Sequence, residues 1–199
     1  MTALPPGVGA QVILRSLLVQ SAWNYRTLQG TGVAFALLPV LRRVHTDPDQ
    51  LQVAVERHSE HFNAHPYLGS LALGSLARLE WDGADGETIR RFRAALGGPL
   101  GALGDRLVWA AWLPLCSVLA LCLLWAGLAP IWVLAIFLAV YNAGHLTLRV
   151  WGFREGWEAG TGLAARLRTM GLSTVSTRLE GWLAGALGFL IGLAVLGPG

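Results

Sequence analysis

The sequence predicts an all-α fold: a polytopic membrane protein with broken or re-entrant helices in its N-terminal half and about three spanning helices in its C-terminal half. Composition is the first reason, because 54% of the 199 residues are hydrophobic and only 14% are charged. A typical soluble domain carries about 25% charged residues. The second reason is that residues 107–148 and 181–199 contain no Asp, Glu, Lys or Arg. Uncharged apolar runs of about 18 residues or more are typical of transmembrane helices.

The amount and distribution of charge argue against nucleic-acid binding. The net charge is +3, and all fifteen basic residues are arginines. These arginines flank the apolar runs instead of forming one continuous stripe, which argues against a nucleic-acid-binding protein. The partner that the composition indicates is the lipid bilayer.

Residues 10–30 are predicted to form an amphipathic helix, because apolar and small residues recur on one face at helical spacing. The residues of this face are Leu14, Leu17, Leu18, Ser21, Tyr25 and Leu28. Such a helix could rest on a membrane surface or against a partner helix. It could equally be an ordinary helix that faces a core, and both interpretations stay open.

Residues 27–41 and 67–77 form two apolar runs that are too short to cross a bilayer, since a helix rises about 1.5 Å per residue. Arg42 and Arg43 close the first run, and Arg78 closes the second. Short apolar segments interrupted by Gly or Pro are typical of discontinuous or re-entrant membrane helices. They are equally typical of buried core helices.

Polar segments separate the apolar runs. Residues 47–62 are predicted to be helical from Asp49, with Pro48 at the start. Residues 80–95 are charged, and we expect them to be solvated. The Gly-rich stretch 97–105 lacks the Lys-Ser/Thr ending of a phosphate-binding loop, and its helix breakers predict a bent entry into the next helix.

The C-terminal half is predicted to contain spanning helices at residues 107–126, 130–149 and 180–196. Arginines flank the outer ends of the first two helices, so the positive-inside rule predicts these ends in the cytoplasm and the C-terminus outside. The tryptophans near helix ends, as in an interfacial belt, are Trp109, Trp112, Trp125, Trp132 and Trp151. The last helix carries a flank of small residues that would admit a second helix, although 25 glycines in the chain produce such spacing by chance. These residues are Gly181, Gly185, Gly188 and Gly192.

We predict one membrane domain over residues 1–199. Its parts are amphipathic and broken helices with polar loops (1–106), a helical hairpin (107–149), a cytoplasmic segment (150–179) and the last membrane helix (180–196). Cys116 and Cys122 lie inside the hairpin and are predicted to be buried small hydrophobes, because a helical rise of about 9 Å disfavours a disulfide.

Residues 61–71, HFNAHPYLGSL, form a dense polar cluster at the entrance to an apolar run. The possible metal ligands here are His58, Glu60, His61 and His65. The metalloprotease pattern HExxH is missing, and Pro66 disfavours a regular helix at His65. We therefore expect no metal and no other cofactor, and a capping or hydrogen-bonding role for Asn63 and His65.

Asn142 and His145 are the polar residues of the second spanning helix. Polar groups in hydrocarbon are costly, so both should face the protein interior or a cavity. They could line a path for a polar solute or form hydrogen bonds between helices. The sequence contains no Ser-His-Asp or Cys-His arrangement that would indicate an enzyme.

Four stretches of the chain occur in an order that resembles a known family. They are SAWNYRTLQGTGVAFALLPVL (21–41), FNAHPYLGSLALG (62–74), GGPLGALGDRLVW (97–109) and NAGHLTLRVWGFREGWEAG (142–160). The shared phrases are W-N-Y, F-N-x-H-P-Y, G-P-L-x-x-x-G-D and G-x-x-x-G. Together they are similar to the IID membrane subunit of the mannose/fructose/sorbose family of the phosphoenolpyruvate-dependent sugar phosphotransferase system.

The resemblance implies a multi-pass protein of the bacterial inner membrane that forms a sugar translocation path with a IIC membrane subunit. Cytoplasmic IIA and IIB phosphocarrier subunits would relay phosphoryl groups to the incoming sugar, so this chain would not itself be catalytic. The two membrane subunits of the family share a fold and are related by inverted pseudo-symmetry, which suits the short apolar segments described above.

The resemblance also implies a set of site residues where a broken helix meets a cavity. They are Asn63, His65 and Tyr67, followed by Asn24, Gln29 and Asp105. Neutral hydrogen-bonding groups suit a sugar, and these side chains would either hold the break together or face the sugar. Replacing His65 by Ala is expected to impair uptake without abolishing membrane insertion.

Family members typically continue for many tens of residues past the segment that matches Gly160, whereas about forty residues follow here. This departure keeps a second hypothesis open, in which a shortened IID-like protein has a regulatory or assembly role and moves no sugar. A third, minor hypothesis is a metal-dependent membrane hydrolase that uses residues 58–65.

Overall fold

Helices account for the regular structure of the chain in a computed structural model, which describes residues 4–5 and 7–196. The helices are α1 (Val8–Ser16), α2 (Gly30–Val44), α3 (Pro48–Ser59), α4 (Gly69–Trp81), α5 (Gly86–Gly104), a π-helical segment (Asp105–Trp112), α6 (Leu113–Trp125), α7 (Pro130–Ala159), a 3₁₀ turn (Gly160–Gly162), α8 (Leu163–Thr169) and α9 (Leu172–Leu196). Within these residues the only β-type pairing consists of isolated bridges. The all-α prediction is confirmed.

The chain packs as two units. The first comprises Met1–Ala102 and Leu148–Thr169, and the second comprises Leu103–Thr147 and Met170–Gly199. The core of the first unit is built from fully buried aliphatic side chains of α2, α4 and α5. Its largest members include Leu37, Leu41, Leu71, Leu76, Ile89 and Leu100.

α1 is much shorter than the helix predicted over residues 10–30, and that prediction is wrong. α1 ends at Ser16, and turns follow. The side chain of Asn24 accepts hydrogen bonds from the N–H groups of Arg26 and Thr27, at 3.0 and 2.9 Å. An Asx turn of this kind offers the backbone an alternative to the helix, and Leu28 then adopts a positive φ of 51°.

The face predicted for the amphipathic helix points away from the core. Leu14, Leu17, Leu18 and Tyr25 are all exposed, while the buried side of this region is formed by Val8, Val12, Ser16 and Val19. The core-facing interpretation of that face is therefore wrong. The apolar residues do lie on one side of this region, but that side is exposed on the surface of the structure.

α2 contains a proline in its interior, and α1 compensates for it. Pro39 has no N–H, so it cannot bond the carbonyl of Phe35 one turn earlier. Arg15 of α1 donates to that carbonyl oxygen at 3.2 Å, and its guanidinium lies 4.8 Å from the centre of the Phe35 ring. The freed acceptor is thus satisfied by a neighbouring helix.

α3 begins as the sequence predicts. Asp47 precedes it and accepts a hydrogen bond from the N–H of Gln50 at 3.3 Å, and Pro48 occupies the first turn. A side-chain acceptor at this position satisfies one of the helix's unpaired N–H groups, and proline has the φ angle that the first turn requires.

α4 is a buried core helix of the first unit, with most of its residues inaccessible to solvent. It approaches the C-terminal part of α7 at backbone contact. A Cβ at Gly74 would overlap the carbonyl of Phe153, and one at Gly156 would overlap the carbonyl of Leu71. Ser75 donates to the carbonyl of Gly156 at 2.8 Å. Of the two interpretations for the short run 67–77, the structure favours the buried helix.

Within residues 7–196, three helical segments are long and apolar enough to cross a membrane: Gly86–Trp125, Pro130–Thr169 and Leu172–Val195. They contain the predicted spans at 107–126, 130–149 and 180–196, except for the last residue of the first and third spans, and each extends further into charged sequence. The predicted entry at 97–105 stays helical, and the irregularity follows it as the π-helical segment.

Ion pairs explain how charged residues join these helices. On α5, Arg91 pairs with Glu87 one turn earlier at 2.8 Å. In the second unit, Arg106 binds both carboxylate oxygens of Glu180 at 2.8 and 2.9 Å and the hydroxyl of Thr177 at 3.0 Å. Paired charges can remain helical beside apolar sequence, so counting charges alone ends the helices too early.

The second unit leaves some predicted packing surfaces unfilled. A Cβ at Gly181, Gly185, Gly188 or Gly192 would meet open space within the part of the chain that the structure describes. Cys116 and Cys122 are free thiols that line an apolar groove between α6 and α7, the first buried and the second half-buried.

Candidate functional site

Residues 62–67 run beside the start of α2 and are bonded to it by Gln29. The side-chain amide of Gln29 donates to the carbonyl of Ala64 at 2.7 Å and accepts from the N–H of Ala64 at 3.2 Å. The N–H of Gln29 donates to the carbonyl of Phe62 at 2.9 Å, and the N–H of Phe62 donates to Thr27 at 3.1 Å. One buried amide thus satisfies both backbone groups of Ala64, which would be costly to bury unpaired.

Two helices start at this crossing. α2 begins at Gly30, where a Cβ would overlap the carbonyls of Ser59 and Glu60, so only glycine allows the two backbones to approach this closely. α4 begins at Gly69, whose N–H donates to the carbonyl of His65 at 2.7 Å. Pro66 keeps the residue before it extended. The polar cluster is therefore the junction between two broken helical runs.

A buried arginine lies against the aromatic ring at each end of the 62–67 segment. The guanidinium of Arg93, on α5, is 5.2 Å from the ring centre of Phe62, and that of Arg149, on α7, is 5.0 Å from the ring centre of Tyr67. A cation over an aromatic face is worth about 0.5–2 kcal/mol, more when desolvated. Arginines of α5 and α7 therefore contact the segment at both of its ends.

Each of these arginines also binds the C-terminal end of a short helix. Arg93 donates to the carbonyls of His58 and His61, at 2.9 and 3.0 Å, and to that of Glu60. Arg149 donates to the carbonyl and the hydroxyl of Ser16, the last residue of α1. Carbonyls at a helix C-terminus lack helical donors and carry partial negative charge, so these contacts stabilise both ends without any carboxylate.

His65 is neutral in this setting. It is 2% exposed, its Nδ1 accepts from the N–H of Tyr67 at 3.2 Å, and its ring meets that of Tyr67 edge to face at 5.0 Å. Burial, and then the neighbouring Arg149, lower the pKa of His65 to about 4. His65 therefore serves as a hydrogen-bonding group and not as a cation at neutral pH.

The sequence analysis missed a second buried polar cluster, around Glu80. The Glu80 carboxylate binds Nε2 of His58 at 2.7 Å, Nε2 of His45 at 2.8 Å and the guanidinium of Arg57. Glu80 and Arg93 are both buried, so the prediction that residues 80–95 are solvated is wrong for these two residues. Each is buried together with hydrogen-bonding partners inside the protein, which offset the cost of burying a charge.

The protonation states of the Glu80 cluster follow from its partners. Burial alone would raise the pKa of Glu80, but the hydrogen bond and charge of His58, and then the hydrogen bonds from Arg57 and His45, lower it to about 2. Burial lowers the pKa of His58, although its hydrogen bond to Glu80 and the charge of Glu80 oppose this. At neutral pH the cluster therefore contains one carboxylate and the guanidinium of Arg57, and Nε2 of His58 is hydrogen-bonded to the carboxylate. Its contacts join α2, α3 and α4.

The structure brings four of the predicted site residues together and separates the others. Gln29 and His65 are buried at the junction, Tyr67 is half-buried and Asn63 is exposed, with its backbone carbonyl against Gly97. Asn24 is exposed and builds its own turn, and it is connected to the junction through Thr27 and Leu28, which both contact Phe62. Asp105 lies in the second unit, exposed, at the start of the π-helical segment.

The possible metal ligands point to other partners. His58 binds Glu80, and Glu60 binds Arg90 at 2.8 Å. Among the residues that the structure covers, no three His, Cys, Asp or Glu side chains are grouped in a way that could hold a metal.

Asn142 and His145 satisfy each other within α7. The Asn142 amide donates to the carbonyl of Leu138 at 2.6 Å, and its oxygen lies 3.0 Å from Nε2 of His145. Both side chains are half-buried in the second unit. Bonding within one helix reduces the penalty for polar groups at membrane depth.

The chain matches one protein family over nearly its whole length. The family model for the IID component of mannose/fructose/sorbose phosphotransferase systems matches residues 8–195. The mannose-specific EIID component of Escherichia coli K12 is 28% identical over 194 residues, which cover 94% of this chain and 64% of that protein. The sorbose-specific EIID component of Klebsiella pneumoniae is 28% identical over 192 residues, covering 92% and 67%. The chain thus spans 64% of the length of the Escherichia coli relative.

Solved structures share the fold. A cryo-EM structure of the mannose transporter ManYZ in complex with microcin E492 gives a TM-score of 0.75 at 24% identity, covering 96% of this chain and 72% of that chain. A second solved membrane protein gives a TM-score of 0.84 at 24% identity, covering 96% and 71%. At this level of identity the likeness extends to the fold alone.

Proposed function

Because the chain belongs to the family of IID components of mannose/fructose/sorbose phosphotransferase systems, we propose that it forms a sugar translocation path together with a IIC membrane subunit. It is a multi-pass protein of the bacterial inner membrane, with three helices of spanning length in the part of the chain that the structure describes. The match over residues 8–195 is the observation that carries the proposal. Import would be coupled to phosphorylation of the sugar by a IIB subunit that is charged by IIA.

The proposed role of this chain is to build the path and not to carry phosphate. Phosphoryl relay through histidine needs an accessible imidazole with a nucleophilic nitrogen. His58 and His65 are buried and bonded to neighbouring groups, so these two side chains are not suited to that relay. The proposed subunit is non-catalytic, with the phosphocarrier histidines on the cytoplasmic partners.

Within the junction we propose two roles for the side chains: holding the helix break and forming hydrogen bonds to a sugar. Gln29 and His65 hold the helix break, since both are buried and bonded to residues 62–67. Asn63 is exposed and Tyr67 is half-buried, so these two can offer neutral hydrogen-bonding groups to a sugar. Asn24 supports the preceding turn, and the role of Asp105 stays a prediction from the resemblance.

The test is uptake of radiolabelled mannose, fructose, sorbose and glucosamine in cells that lack a mannose-type system of their own. The cells would express IIC, IIA and IIB partners with or without this chain. Accumulation of sugar phosphate that requires this chain would support the proposal. A chain that inserts and binds its IIC partner but supports no uptake of any sugar would overturn it and favour a regulatory role.

A further inference from the structure

α1 and the turns after it present an apolar surface to the outside of the first unit. We call this the α1 surface, and its residues are Leu14, Leu17, Leu18, Trp23 and Tyr25, with Arg15 and Arg26 beside them. The side chain of Tyr25 is 91% exposed, that of Leu14 66% and that of Leu18 52%. Several large apolar side chains exposed on one short segment indicate a contact surface, unlike single scattered ones.

The α1 surface is held rigidly. Val8, Val12, Ser16 and Val19 pack its opposite side into the first unit. Arg149 fixes the end of α1 through Ser16. The surface is therefore presented in one orientation by a folded scaffold.

The aromatic and basic groups of the surface are the ones that favour a membrane–water boundary. The rings of Trp23 and Tyr25 meet edge to face at 4.9 Å, and each combines an apolar body with a polar tip. Arg15 is anchored on Phe35 at the edge of the surface. Trp and Tyr concentrate at the level of lipid headgroups, and arginine stems can lie along hydrocarbon while their charged ends reach phosphates.

The charge of this part of the chain selects the type of surface that it would bind. Residues 7–29, which form α1 and the turns after it, contain Arg15 and Arg26 and no Asp or Glu. A stretch with only positive charge is attracted by anionic headgroups and gains about 1 kcal/mol per Arg close to them. A neutral apolar surface would not show this bias.

From these observations we propose that the α1 surface lies in the headgroup–hydrocarbon boundary of an anionic bilayer. The leucines and aromatic rings insert into the boundary, and Arg15 and Arg26 bind lipid phosphates. This contact is made by residues that lie outside the segments of spanning length. It holds the first unit at the membrane surface as an interfacial amphipathic helix would.

A single fluorescent label on the α1 surface tests the proposal. Cys116→Ala and Cys122→Ala remove the native thiols, and Leu18→Cys is labelled with bimane in the full-length chain. The protein is placed in nanodiscs of phosphatidylcholine and phosphatidylglycerol, in which one or the other lipid is brominated. Gln52→Cys, on the exposed polar side of α3, is the matched control and should be quenched by aqueous iodide.

The label at position 18 should be quenched by brominated lipid and protected from iodide, with preference for brominated phosphatidylglycerol. Arg26→Gln should reduce that preference about fivefold, which corresponds to about 1 kcal/mol for one charge. Iodide quenching at position 18 equal to that at position 52 would overturn the proposal. Equal quenching by the two lipids would also overturn it. Protection that appears only with a IIC partner present would assign the surface to a protein instead.

Discussion

Arg149 donates hydrogen bonds from one guanidinium nitrogen to both the carbonyl and the hydroxyl oxygen of Ser16, at 2.7 and 3.1 Å. The Arg149→Gln variant should lose about 2 kcal/mol of unfolding free energy, because hydrogen bonds to a charged donor contribute about 1.5–3 kcal/mol. Denaturant unfolding in detergent micelles measures this loss. Arg154→Gln, at an exposed position on the same helix, is the control and should change stability little. Equal stability of the two variants would contradict the role of Arg149.

Glu80 is the one carboxylate in a buried cluster with Arg57 and His58. Glu80→Gln should destabilise the first unit by about 3–5 kcal/mol, since removing one partner leaves the guanidinium buried without a counter-charge. Thermal unfolding or resistance to proteolysis in detergent would report the change. Glu56→Gln alters an exposed residue bonded to Gln52 and should be nearly neutral. A Glu80→Gln chain as stable as the Glu56→Gln chain would show that the cluster is dispensable.

Acidification should weaken the first unit in two stages. The pKa of His65 falls from 6.5 to about 4 on folding. Its contribution to the free energy of unfolding is therefore complete above pH 6.5 and is lost as the pH falls toward 4. His58 changes in the same direction because of burial. The pKa of Glu80 falls from 4.5 to about 2, so its contribution is lost only between these values. Melting temperatures at pH 7.5, 6, 5 and 4 measure the first stage.

His65→Gln should flatten this first stage, because glutamine does not titrate. The expected difference on the acidic side is on the order of 3 kcal/mol, from a pKa change of about 2.5. An unchanged pH profile in the variant would mean that other groups cause the acid sensitivity.

Gly74 and Gly69 lie on the same helix, but only Gly74 faces another backbone. A Cβ at Gly74 would overlap Phe153, whereas a Cβ at Gly69 would meet nothing within 4 Å. Gly74→Ala should therefore cost at least about 1–3 kcal/mol by overpacking. Gly69→Ala should be neutral or slightly stabilising, as alanine is the better helix former by about 0.5–1 kcal/mol. Unfolding of both variants in the same detergent gives a direct comparison.

Asn63 and His65 should fail in different ways if one faces the sugar and the other holds the junction. Asn63→Ala should raise the sugar concentration needed for half-maximal uptake while leaving the melting temperature unchanged. His65→Ala should lower the melting temperature as well as uptake, although the chain still inserts. His61→Ala changes an exposed neighbour and is the control. Normal uptake by both variants would remove the junction from the path.

The spanning helices could be predicted because charge-free sequence is a direct property of composition. Their ends could not, because Arg91 and Arg106 lie within the helical segments, paired with Glu87 and Glu180, and a charge count treats every arginine as an end. α1 was predicted too long because the apolar spacing continues through turns that the side chain of Asn24 creates.

The site was only partly predictable. The resemblance identified Gln29 and His65, which the structure brings to one junction. Glu80 was missed because its partners His45 and His58 are 35 and 22 residues away along the chain. No local pattern in the sequence predicts a contact between residues so far apart along the chain.

The bond between Arg149 and Ser16 also sets an order of events during biosynthesis. The two residues are 133 positions apart, and at 5–20 residues per second the ribosome needs roughly 7 to 27 seconds to make that stretch. During this interval α1 has been synthesised, whereas Arg149 has not. Until α7 is made, the exposed leucines of α1 must be covered by the membrane or by a chaperone. Correct folding of the N-terminal segment therefore depends on that protection.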